Sequence, residues 1–328
     1  MGRWNIRWSI LLVLWCVTGV KLAAMKVESL DRGWFFNRGY ESQAADKVTV
    51  DLPHTWNAAD AMFGNVNYYR GMSTYSRFIV VPSSENFKRV FLRVKAAQTV
   101  ADVYLDNHFV AQHKGGYTSF TVELTHLIRR GEKQKLDIRV SNAQTMEIAP
   151  ICGDFNIWGG LNRGVELLYT DDACIDPTFY GSSGVFFTQY NVSEKYAGLE
   201  MKALLSGTEM ALNDCSIEFS LLDAKHKVVW CKETSVSGKE ALVKMELNNP
   251  HLWDGVNDSY LYTGVVVLKR GGKEIDRREE HVGFRFYSAD PDKGFFLMVS
   301  PIRYMESIIM RTVQKEHRLF VLKILNRI

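Results

Sequence analysis

The sequence predicts an all-β protein made of two successive β-sandwiches, a jelly roll over about residues 25–172 and an immunoglobulin-like sandwich over 173–288. Most of the chain consists of short segments in which polar and apolar residues alternate, with turn residues between them. It has hardly a convincing amphipathic helix. An aromatic content of 12% also favours strands, because aromatic side chains are enriched in β-sheets.

The first sandwich is predicted from strands that recur at short intervals. Asp106 and Asn107 separate two apolar runs and are typical of a two-residue hairpin turn. Many short strands with regular turns are characteristic of a jelly roll. The predicted strands cover residues 33–36, 47–52, 75–81, 89–94, 101–105, 109–113, 119–124, 135–140 and 165–168.

The second sandwich follows from a further set of strands that begins near Gly184. Around seven strands in roughly a hundred residues is the size of an immunoglobulin-like domain. The predicted strands cover residues 185–190, 198–205, 215–222, 228–233, 242–247, 260–269 and 273–282.

Composition and the first residues limit the partners and the compartment. A chain of 328 residues has room for two or three domains. A net charge of only +3 disfavours a role in binding nucleic acid. Arg3 and Arg7 precede an apolar run over 10–20, which predicts a signal peptide over 1–24 and a secreted or periplasmic protein. An uncleaved membrane anchor is the alternative.

The four cysteines beyond the signal predict neither a metal site nor a disulfide framework. Cys152, Cys174, Cys215 and Cys231 form no C-x-x-C pair, and the histidines lack ligand spacing. On a hairpin that turns near residues 223–225, Cys215 and Cys231 are offset from each other. We therefore expect buried free thiols.

A loop over residues 152–164 carries the candidate binding residues. Gly159 and Gly160 permit a sharp turn that would bring Asp154, Asn156 and Trp158 to one side. A carboxylate and an amide suit sugar hydroxyls, and an indole suits the apolar face of a sugar. The alternative is a β-turn with a capped Asp and a core Trp.

Several separate motifs resemble the amino-terminal half of glycoside hydrolase family 2, the β-galactosidase and β-glucuronidase type. Residues 51–57 (DLPHTWN) and 69–82 (YRGMSTYSRFIVVP) match two of its strand motifs. Residues 103–125 match its hairpin motif, which includes GGYTSF at residues 115–120. Residues 249–263 and 282–286 match the end of its immunoglobulin-like domain. The resemblance covers about residues 33–297.

This resemblance implies a galactose-binding-like jelly roll, an immunoglobulin-like sandwich and a following TIM barrel that carries both catalytic glutamates. It implies that Asp154 binds substrate hydroxyls, and that Asn65 contacts the sugar or its bound ion. Members of the family use Mg or Na ions, but we expect no cofactor and no metal site in this chain. Asn162 and Gly164 depart from the family pattern, in which an aromatic residue and Asp are usual at these two positions.

No residue of this chain is predicted to be catalytic. Glycoside hydrolysis needs two carboxyl groups about 5 to 9 Å apart on a rigid scaffold, and a barrel needs about 250 residues. Residues 289–328 are predicted to be the start of the missing barrel. Only 31 residues follow Leu297, and residues 298–328 are predicted to be an out-of-frame tail that is disordered or a poorly packed helix. Solvated or edge positions are expected for the strand carboxylates Asp102, Glu123, Glu166 and Glu218.

The predicted function is therefore the accessory, substrate-binding half of a β-galactosidase-like glycosidase that is inactive alone. Its expected partners are a β-galactoside-like carbohydrate, the barrel domain and, as a possibility, a second copy of the chain. Two alternatives remain at this stage. The chain could be a stand-alone secreted carbohydrate-binding module, or it could be an interaction scaffold.

Overall fold

The structure is a computed structural model, which describes residues 25–39, 48–58, 68–84, 86–149, 156–298 and 300–302. Within these ranges the chain forms two antiparallel sandwiches, a small third sheet, one short α-helix and one 3₁₀ helix (Phe179–Gly181), so the predicted all-β class is confirmed. The strands of the first sandwich are β1 (Lys26–Ser29), β2 (Trp34–Arg38), β3 (Val48–Val50), β4 (Met72–Val80), β5 (Arg89–Val94), β6 (Val100–Leu105), β7 (His108–Lys114), β8 (Phe120–Glu123), β9 (Lys133–Ser141) and β10 (Val165–Thr170).

The first sandwich packs a six-stranded sheet against a four-stranded sheet. Their strand orders are β3-β2-β4-β9-β6-β7 and β1-β10-β5-β8. Alternation along β6 sends Ala101, Val103 and Leu105 into the core between the sheets. The predicted hairpin is confirmed, because Asp106 and Asn107 have φ angles of 48° and 66°, the left-handed pair that a tight turn between β6 and β7 needs.

The second sandwich has its own apolar core. β13 pairs with β11 and β12 on one side and with β16 on the other, while the facing sheet has the order β15-β14-β17-β18. The sequence reading missed the short helix α1 (Glu209–Asn213), where Thr208 Oγ1 accepts a hydrogen bond from Ala211 N at 3.2 Å as an N-cap. The strands are β11 (Cys174–Ile175), β12 (Val185–Tyr190), β13 (Tyr196–Ser206), β14 (Cys215–Leu222), β15 (Val228–Ser235), β16 (Glu240–Asn248), β17 (Tyr262–Arg270) and β18 (Lys273–Val282).

A small third sheet follows the second sandwich. It consists of β19 (Tyr287–Asp290), β20 (Gly294–Leu297) and β21 (Ser300–Ile302) in that order. The first described residues of the predicted tail therefore form a strand on β20 rather than a helix. The predicted signal over 1–24 and the rest of the tail, 303–328, lie outside the described residues.

Polar contacts fix the junction between the two sandwiches. Arg89 of β5 donates to Glu123 at 2.8 Å and reaches across to Ser206 Oγ at 3.0 Å. Asp276 of β18, which is fully buried, accepts from Ile175 N at 2.8 Å and also pairs with Arg278. The connecting chain is therefore held by both sandwiches.

One sequence expectation is corrected by burial. Glu166 was expected to be solvated or at an edge, but it is 7% exposed and pairs with Arg93 at 3.4 Å and Lys95 at 2.8 Å. Glu166 lies next to Arg93 on the four-stranded sheet, and Arg93 is close enough to Arg278 of the second sandwich for their charges to interact.

Within the described ranges no helix reaches the length and apolar character that a membrane crossing requires.

The cysteine prediction holds in part. Cys215 lies opposite Arg270 and Cys231 lies opposite Ser220, so the two are offset as expected, and both are free. Cys174 and Cys215 are buried, but Cys231 is exposed because β15 is an edge strand whose side chains meet water on both faces. Burial raises the pKa of the Cys174 thiol to about 12, which keeps it inert.

Candidate functional site

Three irregular segments meet at one end of the first sandwich. The segment after β3 runs beside the segment before β10: His54 N donates to Leu161 O at 2.9 Å, and Trp56 N donates to Gly159 O at 3.2 Å. On the other side, Gln98 N donates to Gly160 O at 2.9 Å. The glycine loop is therefore held between two neighbouring stretches of backbone, as a strand would be.

Two fully buried amides join these segments. Asn57 Oδ1 accepts from Gly159 N at 2.7 Å and from Asn142 Nδ2 at 3.2 Å. Asn57 Nδ2 donates to Tyr69 O at 2.8 Å, and Asn142 Nδ2 donates to Ile157 O at 3.0 Å. We call Asn57 and Asn142 the amide clamp. Because a primary amide both donates and accepts, the pair satisfies backbone groups that would otherwise be buried without partners.

The two glycines are required for different reasons. Gly160 has φ +136°, and a Cβ there would lie 2.3 Å from His54 O, so both the backbone conformation and the close approach exclude side chains. At Gly159 the obstacle is packing, because a Cβ would lie 2.0 Å from Cζ2 of the buried Trp56. Gly160 takes a backbone conformation that side chains disfavour, but it forms an antiparallel bridge with Gln98 rather than the predicted sharp turn, and Gly159 makes room for an indole.

Aromatic groups and His54 form the floor beneath this loop. Nδ1 of His54 lies 2.8 Å from the hydroxyl of Tyr75, and the Phe36 ring stacks on Trp56 with centroids 6.1 Å apart. Burial lowers the pKa of His54 to about 4, because the charged imidazolium would lose its hydration. The imidazole is therefore neutral at pH 7, and the floor carries no charge there.

The predicted site residues fall into two groups. Asn156 and Trp158 are half-buried and flank the buried Ile157, so burial alternates along the start of the loop. Ile157 N donates to the hydroxyl of Tyr68 at 2.8 Å. Asp154 and Asn65, together with Cys152, lie outside the described residues.

The described ends of the two undescribed segments nevertheless lie together. Residues 59–67, which include Asn65, are flanked by the amide-clamp residue Asn57 and by Tyr68. Residues 150–155, which include Asp154, lead directly into the segment that Tyr68 and Asn142 hold. Both candidate side chains therefore belong to segments anchored at the same end of the sandwich.

Sequence reasoning missed the residues that hold the loop. Asn57 is the last residue of the motif over 51–57, but the motif does not indicate which backbone groups its side chain contacts. Gln98 is 2% exposed, and a Cβ at Gly116 would lie 2.2 Å from its Oε1, so it connects the glycine loop with the GGYTSF segment. Asn142, directly after β9, carried no recognisable signal.

The described residues do not fit a metal site. Within these ranges no three His, Cys, Asp or Glu side chains come together as ion binding would require. The groups at the loop are amides, hydroxyls and aromatic rings, which are weak ligands for Mg. The ions implied by the family resemblance thus find no ligand set here, and no step proposed below uses one.

Sequence comparisons assign both sandwiches to one family. The profile of the glycosyl hydrolases family 2 sugar binding domain matches residues 34–171, and the profile of glycosyl hydrolases family 2 matches residues 184–285. The chain belongs to glycosyl hydrolase family 2. The two matched ranges correspond to the two sandwiches, so the suspected resemblance is confirmed.

Similar members of glycosyl hydrolase family 2 include enzymes of two specificities. A β-glucuronidase of Bacteroides fragilis is 38% identical over 274 residues, which is 82% of this chain and 39% of that protein. A β-galactosidase of Bacteroides ovatus is 27% identical over 307 residues, 86% of this chain and 34% of that protein. The chain thus spans less than half the length of either relative.

Solved structures agree with this assignment. A putative β-galactosidase from Bacteroides fragilis superposes with a TM-score of 0.81 at 30% identity, covering 85% of this chain and 44% of that one. A Bacteroides uniformis β-glucuronidase superposes with a TM-score of 0.77 at 26% identity, covering 85% and 35%. The two sandwiches of this chain therefore have the arrangement of the corresponding part of larger family members.

Proposed function

We propose that this chain binds a β-galactoside-like carbohydrate as the non-catalytic, substrate-binding portion of a family 2 glycosidase. The observation that carries the proposal is the amide clamp, which holds Tyr69, Ile157 and Gly159, the described residues that follow the Asn65 and Asp154 segments, at one end of a sugar-binding domain.

The residues have separate tasks in this proposal. The carboxylate of Asp154 accepts hydrogen bonds from sugar hydroxyls, and the amide of Asn156 can both donate and accept. Trp158 covers the apolar face of the ring. The neutral, aromatic floor around His54 and Trp56 excludes water from the underside of the loop, which strengthens these polar contacts.

The relative from Bacteroides fragilis favours a second candidate ligand. At 38% identity it is a β-glucuronidase, so a β-glucuronide is the alternative to a β-galactoside. The two differ in the orientation of the C4 hydroxyl and in a carboxylate at C6 of the glucuronide, which the carboxylate of Asp154 would repel if the two groups came close. Parallel titrations with methyl β-D-galactopyranoside and methyl β-D-glucuronide distinguish them.

The three glutamates on described strands of the sandwiches that the sequence singled out are held in ion pairs. Glu123 pairs with Arg89, Glu166 with Lys95, and Glu218 with Lys269, each at 2.7 to 2.8 Å, so these acids have structural partners. We expect the purified chain to show no turnover of nitrophenyl β-galactoside or β-glucuronide. Turnover that disappears when a carboxylate of this chain is changed would refute the proposal.

Asp154→Ala tests the binding residue directly. A hydrogen bond to a charged group contributes roughly 1.5 to 3 kcal/mol, so loss of this carboxylate should weaken binding at least about tenfold. The readout is the dissociation constant for methyl β-D-galactopyranoside, measured by titration calorimetry. Asp258→Ala, an exposed acid on the second sandwich, serves as the matched control.

Two results separate the explanations. Unchanged affinity in a folded Asp154→Ala protein would return the loop to a purely structural role. Weaker binding in both variants would indicate a general effect of charge.

Export from the cytoplasm is a further part of the proposal. It is supported by the basic residues and the apolar run within 1–24. Amino-terminal sequencing of the protein recovered from the periplasm or the medium should begin near Met25. Recovery of the intact Met1 end from the cytoplasm would contradict it.

A further inference from the structure

A cavity of about 550 Å³ lies on the first sandwich. It is bounded by the chain between β1 and β2 and by the chain that follows β3. It borders the last residue of the 152–164 loop, because a Cβ at Gly164 would lie 2.7 Å from Oδ1 of Asp31. The cavity is lined by Ser29, Asp31, Arg32, Asp51, Leu52 and Arg77.

Arg77 contributes a positive charge that the backbone holds in place. Its Nη1 donates to Leu30 O at 2.5 Å and to Arg32 O at 3.1 Å, which fixes the guanidinium 5.6 Å from the centre of the Trp34 ring. The Nε is buried, so the contribution of Arg77 to the cavity is its fixed charge and not this donor.

The acceptors are two carboxylates that the backbone holds in place. Asp31 Oδ1 accepts from Val165 N and Asp51 Oδ1 accepts from Gly33 N, each at 2.8 Å. Within the described ranges, the second oxygen of each carboxylate has no hydrogen bond to protein. Arg32 is exposed at the rim, and no side-chain hydrogen bond is formed by it in the same ranges.

The charges of the lining decide the class of ligand. Two guanidinium groups balance two carboxylates, so the cavity favours a neutral molecule over an anion or a cation. A hydroxyl can donate to a carboxylate while it accepts from a guanidinium, and neighbouring hydroxyls can do so side by side. Leu52 adds an apolar surface for C–H groups, and a volume near 550 Å³ falls in the usual range for small-molecule sites.

We propose that this cavity is a second carbohydrate-binding position, which takes a neutral pyranose unit through Asp31, Asp51, Arg32 and Arg77. Its lining residues are distinct from Asp154, Asn156, Trp158 and the amide clamp, although Asp31 borders the end of the same loop at Gly164. A chain with both positions would hold a polysaccharide at one while the other engages a terminal sugar.

The test is a titration of the full-length, isotope-labelled chain with methyl glycosides of galactose, glucose and mannose, followed by amide NMR. At least one of the three should shift the signals of Gly33, Asp51 and the Trp34 indole N–H, which donates to Leu30 O at 2.6 Å beside Arg77. The shifts should saturate. Arg32→Ala should weaken this binding at least fivefold, and Asp51→Asn should do likewise while its amide oxygen still accepts from Gly33 N.

Arg277→Ala is the matched control, because Arg277 is an exposed arginine of the second sandwich and does not line the cavity. It should leave the affinity at the cavity within twofold. Saturable shifts that respond equally to Arg32→Ala and Arg277→Ala would overturn the assignment.

The outcomes also separate this proposal from the proposed function. Saturable shifts confined to Gly159 and Gly160 would support the Asp154 loop and refute the cavity. Shifts confined to Gly33, Asp51 and Trp34 would support the cavity and count against the loop. Absence of saturable shifts near Gly33 with all three glycosides refutes the cavity site.

Discussion

The two sandwiches bury polar groups to very different extents. Among the described residues, twelve of the fifteen buried polar or charged side chains lie in the first sandwich and three in the second. In the first, Asn57, Gln98 and Asn142 surround the glycine loop. In the second, Asp276 and Arg278 hold the strand that arrives from the first.

This difference shows where each sandwich holds irregular chain. Regular strands satisfy their own backbone groups, and they need only apolar side chains between the sheets. The buried amides Asn57, Gln98 and Asn142 lie where a segment outside the ladders must be fixed, although other buried polar residues, such as Asp137 and Glu166, lie on strands. In the first sandwich that place is the candidate site, whereas in the second it is the domain junction. The following predictions test this division, from the largest expected effect to the smallest.

Asp276→Ala tests how much the buried Asp276–Arg278 pair of the second sandwich contributes to the free energy of unfolding. It leaves Arg278, which is 8% exposed, without its carboxylate, and it removes the acceptor for Ile175 N. Breaking a buried pair on one side destabilises by about 3 to 5 kcal/mol. Urea unfolding followed by circular dichroism measures the loss, with the exposed Asp258→Ala as the reference. A loss below about 1 kcal/mol would show that the junction does not depend on this pair.

Asn57→Ala should destabilise the first sandwich by about 3 kcal/mol, because Gly159 N and Tyr69 O lose buried partners. Amide hydrogen exchange at Gly159 should accelerate together with the shift in urea midpoint. Ser220→Ala, a buried polar residue of the second sandwich, should cost less because a hydroxyl beside Cys231 supports no irregular segment. Equal losses of stability in Asn57→Ala and Ser220→Ala would contradict the proposed difference between the two sandwiches.

Gly159→Ala and Gly264→Ala introduce the same methyl group against an aromatic ring in each sandwich. The clash at Gly159 is with Trp56, which is 6% exposed and confined, so a loss of roughly 1–3 kcal/mol is expected. At Gly264 the ring belongs to Phe187, which is half-buried and can turn away, so the loss should fall at or below the low end of that range. Thermal unfolding of the two variants compares them, and a larger loss at Gly264 would contradict this account.

His54 makes the stability of the first sandwich depend on pH. Its pKa in the folded chain is about 4, below the ordinary 6.5, so the unfolded chain binds the extra proton first as the pH falls. The contribution of the neutral His54 to the free energy of unfolding is complete above pH 6.5. It is lost as the pH falls from about 6.5 to 4. Allowing for the partial exposure of the ring, we expect about 1 to 2 kcal/mol. Urea unfolding at pH 7 and pH 4.5 measures it, and His54→Gln should reduce the slope; an unchanged slope would exclude His54 as its source.

The sequence alone was sufficient for the architecture. Alternation fixed most strands to within one to three residues, as at β5 (Arg89–Val94) and β14 (Cys215–Leu222), because the two-residue period of a half-buried strand is written directly in the chain. The Asp106-Asn107 turn was also readable, since left-handed backbone selects few residue types. Several family motifs then pointed to one family.

Only the tertiary structure decided what those residues contact. Asn57 and Asn142 are 85 positions apart and hydrogen-bond each other, and no local pattern records such a pair. Glu166 occupies a strand position that faces water in an isolated sandwich, but the packing of the second sandwich against that face buries it. Local periodicity specifies which side of a sheet a residue takes, whereas its partners depend on segments that meet only after folding. The candidate loop, its clamp and the cavity near Arg77 therefore required the folded chain.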